Sequence, residues 1–207
     1  HAAVALTQLA AQYPGELSLV ALGPLTNLAV ALKLDPELPH KFKELTIMGG
    51  TIYGRGNVTS SAEFNIYADP EAAHLVFSSW PELTMVSWET TEAHVVPAAQ
   101  LREWLGMETP KARFFQQITA AFIARVRREY GRETFIAADP LAMAVAVEPT
   151  IVTKQALHPV MVERSGTQTR GQTVVDWWNR AGERPLVNIV QELDLGRYMR
   201  LMTQALA

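Results

Sequence analysis

Three side chains stand where they could handle a ligand carrying several hydroxyl groups: Asn57, Glu63 and Asn65. They follow a short apolar run, Leu45 to Met48, that Gly49-Gly50 ends abruptly. A hydroxyl both donates and accepts; a carboxylate such as Glu63 only accepts, and the carboxamides of Asn57 and Asn65 can do either. Adjacent glycines permit positive φ and let the backbone approach a ligand closely. From Ala62 the chain reads as extended, which would turn Glu63 and Asn65 to one side. Phe64 and Ile66 would then anchor the other side in the core. Spacing alone leaves a plainer reading open, in which Asn57 is a turn residue and Glu63 is solvated. Asp139-Pro140 taken alone is likewise a helix start. Of the five histidines, His94 alone falls near the expected ligand edge, and a surface-loop reading suits it as well.

These side chains need a scaffold, and the hydrophobic pattern describes one. Ala2 to Ala11 reads as an amphipathic helix, and Leu17 to Leu22 as a strand apolar enough to be covered on both faces. Gly23-Pro24 breaks that strand and Pro24 to Asn27 opens a helix with Leu25, Leu28, Ala29 and Leu32 on one stripe. Strand Leu45–Met48, helix Pro70–Ser79 (capped by Asp69, with Glu71 in its first turn) and strand Leu83–Trp88 follow. Strands alternating with helices predict an α/β domain, a mostly parallel sheet flanked by helices, with ligands at the carboxyl ends of the strands. Thr109-Pro110 starts a long helix ended by Gly131, with an expected buried stripe of Phe114, Phe115, Ile118, Phe122 and Val126. Arg125, Arg127, Arg128 and Arg132 read as its solvated edge. A helix Leu141–Val147 follows. Ile151–Glu163 and Gln168–Val175, joined at Ser165-Gly166, read as an antiparallel hairpin near the C-terminus. Leu186–Val190 is a late strand, and Asp194 caps a terminal helix.

The 207 residues carry 48% hydrophobic and 19% charged side chains, enough for one domain, 1–207, with a substantial core. The formal net charge is −3 and no basic block occurs, which excludes a nucleic-acid footprint. No apolar run reaches membrane-spanning length. The absence of cysteine excludes a disulfide scaffold and a thiolate metal site. His1, not Met, comes first and a helical pattern is already under way, so the expectation is of a domain truncated at its N-terminus.

Taken together, Met48-Gly49-Gly50, Gly56-Asn57, Ala62-Glu63-Phe64-Asn65 and Asp69-Pro70-Glu71-Ala72-Ala73 resemble the inosine/uridine-preferring nucleoside hydrolases. Leu22-Gly23-Pro24-Leu25-Thr26-Asn27-Leu28-Ala29 is similar to that family's Gly-Pro-Leu-Thr-Asn-Leu-Ala turn, and Asp139-Pro140-Leu141-Ala142 to its late His-Asp-Pro-Leu-Ala motif. The resemblance implies hydrolysis of the N-glycosidic bond of a ribonucleoside to ribose and free base, dependent on Ca²⁺, in a cytoplasmic homo-oligomer. It assigns the ribose hydroxyls to Asn57, Glu63, Asn65 and Asp139, with Met48 lying along the sugar. It assigns Ca²⁺ to Asp139 and the Leu22 backbone carbonyl, an all-oxygen ligand set of the kind that ion takes.

Two departures stand out. The family's amino-terminal aspartate cluster, which supplies the general base and most carboxylate ligands, is absent from these residues. Ala138 occupies the place where many members carry a histidine that protonates the departing base. The chain alone is therefore expected to be inactive. It reads as part of a nucleoside hydrolase polypeptide or, alternatively, as a degenerate non-catalytic relative that binds a ribosyl ligand or a protein partner.

Overall fold

In the computed structural model, which describes residues 1–131 and 134–207, the apolar runs become the strands of one sheet. The first three, β1 (Ser18–Ala21), β2 (Glu44–Met48) and β3 (Glu82–Val86), pair in parallel. The late strand β6 (Leu186–Leu193) inserts beside β3, also parallel, and separates it from β4 (Val152–Val162). Strand β4 runs antiparallel to β6 and pairs with β5 (Thr173–Val175), giving the order β1-β2-β3-β6-β4-β5 among the described residues. The expected mostly parallel sheet and its antiparallel hairpin are both present, the second arm of the hairpin shorter than its apolar run.

Helices cover both faces. Strand side chains alternate, so Leu45, Ile47, Leu83, Met85, Val187 and Ile189 form one core with α1 (Ala2–Gln12), α2 (Thr26–Leu34) and α5 (Pro70–Ser79). Met48, Val86 and Val190 form the other, with α7 (Ala98–Leu105), α8 (Pro110–Tyr130), α9 (Ala138–Val147) and α10 (Leu195–Leu206). Between them in sequence lie the short α3 (Leu38–Lys41), α4 (Phe64–Ala68) and α6 (Trp88–Ala93). Helix ends obey local chemistry. Asp69, Thr109 and Asp194 accept hydrogen bonds from Ala72, Ala112 and Arg197 backbone N–H groups, and Gly131 closes α8 at φ 61°.

Three expectations are corrected. The third strand ends at Val86, and Ser87 caps α6 there, so Trp88 and Glu89 are helical. Helix α9 begins at Ala138 with Ala137 as its N-cap, so Asp139 lies inside the first turn and caps nothing. The stripe on α8 is rotated: Ala112, Phe115 and Thr119 are buried, whereas Phe114 and Ile118 are 61% and 60% exposed and Phe122 is half out. Periodicity shows that a helix has an apolar arc; only the positions of the neighbouring helices decide which line of that arc is covered. Arg132 lies outside the described residues. Among the described residues no helix is long and apolar enough to cross a membrane.

Candidate functional site

The backbone that leaves β2 is held almost amide by amide. Gly49 N–H donates to the Val86 carbonyl (3.1 Å) and Gly50 N–H to Glu63 Oε2 (3.0 Å). Gly50 sits at φ +76°, and a Cβ there would lie 2.8 Å from the Thr173 side chain, so glycine is required twice over. Thr173 Oγ1 accepts from Thr51 N–H (2.6 Å) and donates to the Thr51 carbonyl (2.6 Å). Further along, Asn57, Val58 and Thr59 all direct their N–H groups at the Ala62 carbonyl (3.2–3.4 Å). A Cβ on Gly56 would come 2.2 Å from that same oxygen, so no other residue fits this turn.

The segment after Ala62 is not extended. Glu63 is the N-cap of α4, its Oε1 accepting from Asn65 N–H (2.9 Å) and its Oε2 from Ile66 N–H (3.3 Å). Glutamate is an unusual cap; here the chain prefers it because the same carboxylate also reaches Gly50. Phe64, expected as an anchor, is 54% exposed, while Glu63 (2%), Asn65 (7%) and Ile66 (0%) are all buried. In one helical turn, residues 63, 65 and 66 fall inward together, which an alternating strand forbids.

The internal bonds orient the polar atoms. Asn57 Oδ1 accepts from Phe64 N–H (2.9 Å), which leaves its NH₂ group as the free donor. Asn65 Nδ2 donates to the Met48 carbonyl (3.1 Å) and touches Met48 Sδ (3.5 Å), which leaves its carbonyl oxygen as the free acceptor. The site thus offers donor and acceptor atoms in fixed places, the complement a vicinal diol needs. A hydrogen bond from Thr26 Oγ1 to Asp69 Oδ2 (2.6 Å) ties the Gly23–Asn27 turn to the cap of α5, so two of the sequence motifs meet.

Asp139 lies partly open to solvent on the first turn of α9, a helix that packs on β1 and β2. Partial burial holds its carboxyl above the usual range. Glu63 is also raised. Burial is the main cause, the backbone N–H groups of Asn65, Gly50 and Ile66 oppose it, and the Asp139 charge adds to it. Leu22 lies immediately after β1, at the same carboxyl edge of the sheet.

Calcium requires six to eight oxygens. Asp139 and the Leu22 carbonyl offer at most three, and among the described residues no group of three or more acidic or histidine side chains could hold a metal ion. The residues present do not by themselves fit the ion. His94 is accounted for structurally: Nδ1 contacts the Thr90 carbonyl (2.7 Å) and Nε2 accepts from Leu193 N–H (3.0 Å). Nδ1 is used at the end of α6 and Nε2 ties that end to β6, so both ring nitrogens are occupied. Ala138 packs partly against the second core.

Glu89 falls, with Trp88, at the expected ligand-facing end of the third apolar run, and the sequence assigns it no role. Glu89, on α6, accepts from the N–H groups of Ile52 (2.8 Å), Tyr53 (2.9 Å) and Arg55 (3.2 Å). A glutamate beside the end of a strand was the only available hint.

The profile of the inosine-uridine preferring nucleoside hydrolases matches residues 1–200. The chain belongs to this family. The inosine-uridine preferring nucleoside hydrolase of Crithidia fasciculata is 35% identical over 197 residues, covering 93% of this chain and 61% of that relative. The pyrimidine-specific ribonucleoside hydrolase RihA of Enterobacter sp. (strain 638) is 33% identical, covering 92% and 61%. A plant nucleoside hydrolase structure superposes with a TM-score of 0.91 at 29% identity, covering 99% of this chain and 66% of that one. The chain therefore spans about three fifths of the length of the curated relatives it matches.

Proposed function

We propose that this chain forms the ribose-holding part of a ribonucleoside hydrolase, which cleaves the N-glycosidic bond to give ribose and free base. The observation that carries the reading is the polar set on the β2 loop and α4. Asn57 and Asn65 are each locked by one internal hydrogen bond so that a donor and an acceptor remain free, beside Glu63. Asp139, whose charge reaches Glu63, completes the set of ribose contacts, and Met48 lies along the sugar.

Cleavage of such a bond builds positive charge on the sugar. Carboxylates near the sugar favour that charge, and this reading assigns that part to Glu63 and Asp139. Fixed contacts to the hydroxyls also hold the anomeric carbon in one place, which lowers the entropic part of the barrier. Asp139 and the Leu22 carbonyl would contribute oxygens to a Ca²⁺ ion whose other ligands are not among these residues. The aspartate cluster that the resemblance assigns as general base is not among these residues, and Ala138 cannot protonate a leaving base. The chain alone thus binds the sugar and does not turn it over. Relatives named for inosine, uridine and pyrimidines differ in base, so ribose is the part of the substrate assigned.

The test pairs binding with turnover. Hydrogen–deuterium exchange of the peptides spanning Gly50–Asn57 and Glu63–Asn65 should slow on adding D-ribose or inosine, and Asn65→Ala should abolish the effect. Released ribose from inosine or uridine should stay far below the ~1 s⁻¹ of an ordinary enzyme. Absent protection refutes the ribose site; turnover near that rate refutes inactivity.

A further inference from the structure

We propose that Glu89 is a positioning residue for the sugar site, acting as a clamp on the loop that carries Asn57; the role rests on the ribose reading above. Its carboxylate is not the cap of its own helix. Ser87 caps α6, accepting from Thr90 N–H at 3.2 Å. Glu89 instead turns away, across more than 30 residues of sequence, to the backbone that leaves β2. Oε2 takes Ile52 N–H (2.8 Å), and Oε1 takes both Tyr53 N–H (2.9 Å) and Arg55 N–H (3.2 Å).

The neighbouring amides belong to other side chains: Gly50 to Glu63 and Thr51 to Thr173. Three side chains from three separate segments therefore share one short loop, and none repeats the work of another. Two further backbone bonds hold the base of the loop, from Trp88 N–H to the Gly50 carbonyl (2.9 Å) and from Gly49 N–H to the Val86 carbonyl (3.1 Å). These fix the strand end. Beyond Thr51, Ile52 is anchored in the first core and the Tyr53 ring stacks on Trp177 (6.1 Å), while Glu89 is the side chain that holds the backbone N–H groups of Ile52, Tyr53 and Arg55. One residue after Arg55 comes the Gly56 turn, which tolerates no Cβ and sets the direction of Asn57. A shift of the 52–55 backbone thus passes directly into Asn57, whose Oδ1 must reach Phe64 N–H for its NH₂ to face the sugar.

A carboxylate suits this work because it accepts several N–H bonds at once and its charge strengthens each of them. A glutamine keeps one acceptor oxygen and presents an NH₂ group where the other stood. It should hold part of the loop and repel the rest.

The experiment uses the 207-residue chain at micromolar concentration, with D-ribose as probe. Glu89→Ala, Glu89→Gln and, as a control, Glu92→Ala are compared by hydrogen–deuterium exchange and by titration calorimetry; Glu92 is exposed on the same helix. In Glu89→Ala, exchange of the 52–55 peptide should rise while that of β3 and β6 stays at the wild-type rate. Ribose affinity should fall about 10-fold or more, the scale on which residues that orient a site through another group act. Glu89→Gln should fall between wild type and Glu89→Ala, and Glu92→Ala should match wild type. A purely structural role would lower the melting temperature and leave ribose affinity of the folded protein unchanged; that result overturns the proposal. Unchanged exchange at 52–55 in Glu89→Ala overturns the clamp itself. If wild type shows the clamp but no ribose response, the ribose reading fails, and the exchange data tell that failure from one of Glu89.

Discussion

Replacing Glu63 by alanine separates a solvated carboxylate from one that organises the site. The side chain is 2% exposed and accepts from the backbone N–H groups of Gly50, Asn65 and Ile66. Losing an N-cap costs about 1 kcal/mol. Leaving the Gly50 N–H without an acceptor costs about 1–3 kcal/mol more. Against this, the variant no longer buries a carboxylate that both desolvation and the Asp139 charge disfavour. The net loss should be about 2–3 kcal/mol, which for a chain of this size lowers Tm by roughly 4–12 °C. Glu63→Gln keeps one acceptor oxygen and should lose roughly half as much. Thermal unfolding at pH 7, followed by circular dichroism, reads both variants. A Glu63→Ala melting temperature within 1–2 °C of wild type would show that the three amides do not depend on this side chain, and the construction of the site would have to be reconsidered.

Asp139→Asn should bring the Glu63 carboxyl back toward its ordinary value of 4.5, because one cause of its rise is removed; carbon-13 NMR titration of the Glu63 carboxyl checks the direction. Both carboxyls are raised in the folded state, so their favourable contribution is present below the ordinary values of 3.8 and 4.5 and is lost as pH rises through the folded ones. Asp139→Asn should therefore be the more stable protein at pH 7, and its advantage should vanish near pH 3.5, as melting curves at the two pH values would reveal. Gly50→Ala combines a positive φ with a methyl group pressed on Thr173, whereas Gly182→Ala meets the same φ of +76° with open space around it. The first should lose more stability than the roughly 1–2 kcal/mol of left-handed backbone that the second loses, measured by urea unfolding. Among the described residues strand β1 pairs only with β2, and the groove of about 370 Å³ beside it is lined by residues that include Leu6, Leu9, Leu19 and Leu22. The chain should associate at high concentration, and Leu9→Lys should reduce that association in light scattering.

Much of this protein was legible residue by residue. The strands β1, β2 and β3 are short apolar runs bounded by glycine, proline or a capping residue. Asp69, Thr109 and Asp194 stop and start helices through bonds that span three residues, so neighbours in sequence suffice to place them. The motifs also indicated a family, and it is the one the chain belongs to. What sequence did not decide depends on groups brought together from afar. Alternation made Ala62 to Ile66 a strand; only the Gly50 N–H, 13 residues upstream in sequence, makes a helix capped by Glu63 the better arrangement. The apolar arc of α8 was visible, but which line is buried depends on where α7 and α10 lie. Strand β6 slots between β3 and β4 because its two faces complete both cores, a condition that no local pattern expresses. Glu89 shows the same limit: its place at the end of an apolar run marks the edge but not the role, because its partners are backbone amides, which every residue carries, and only the folded loop turns three of them toward one carboxylate.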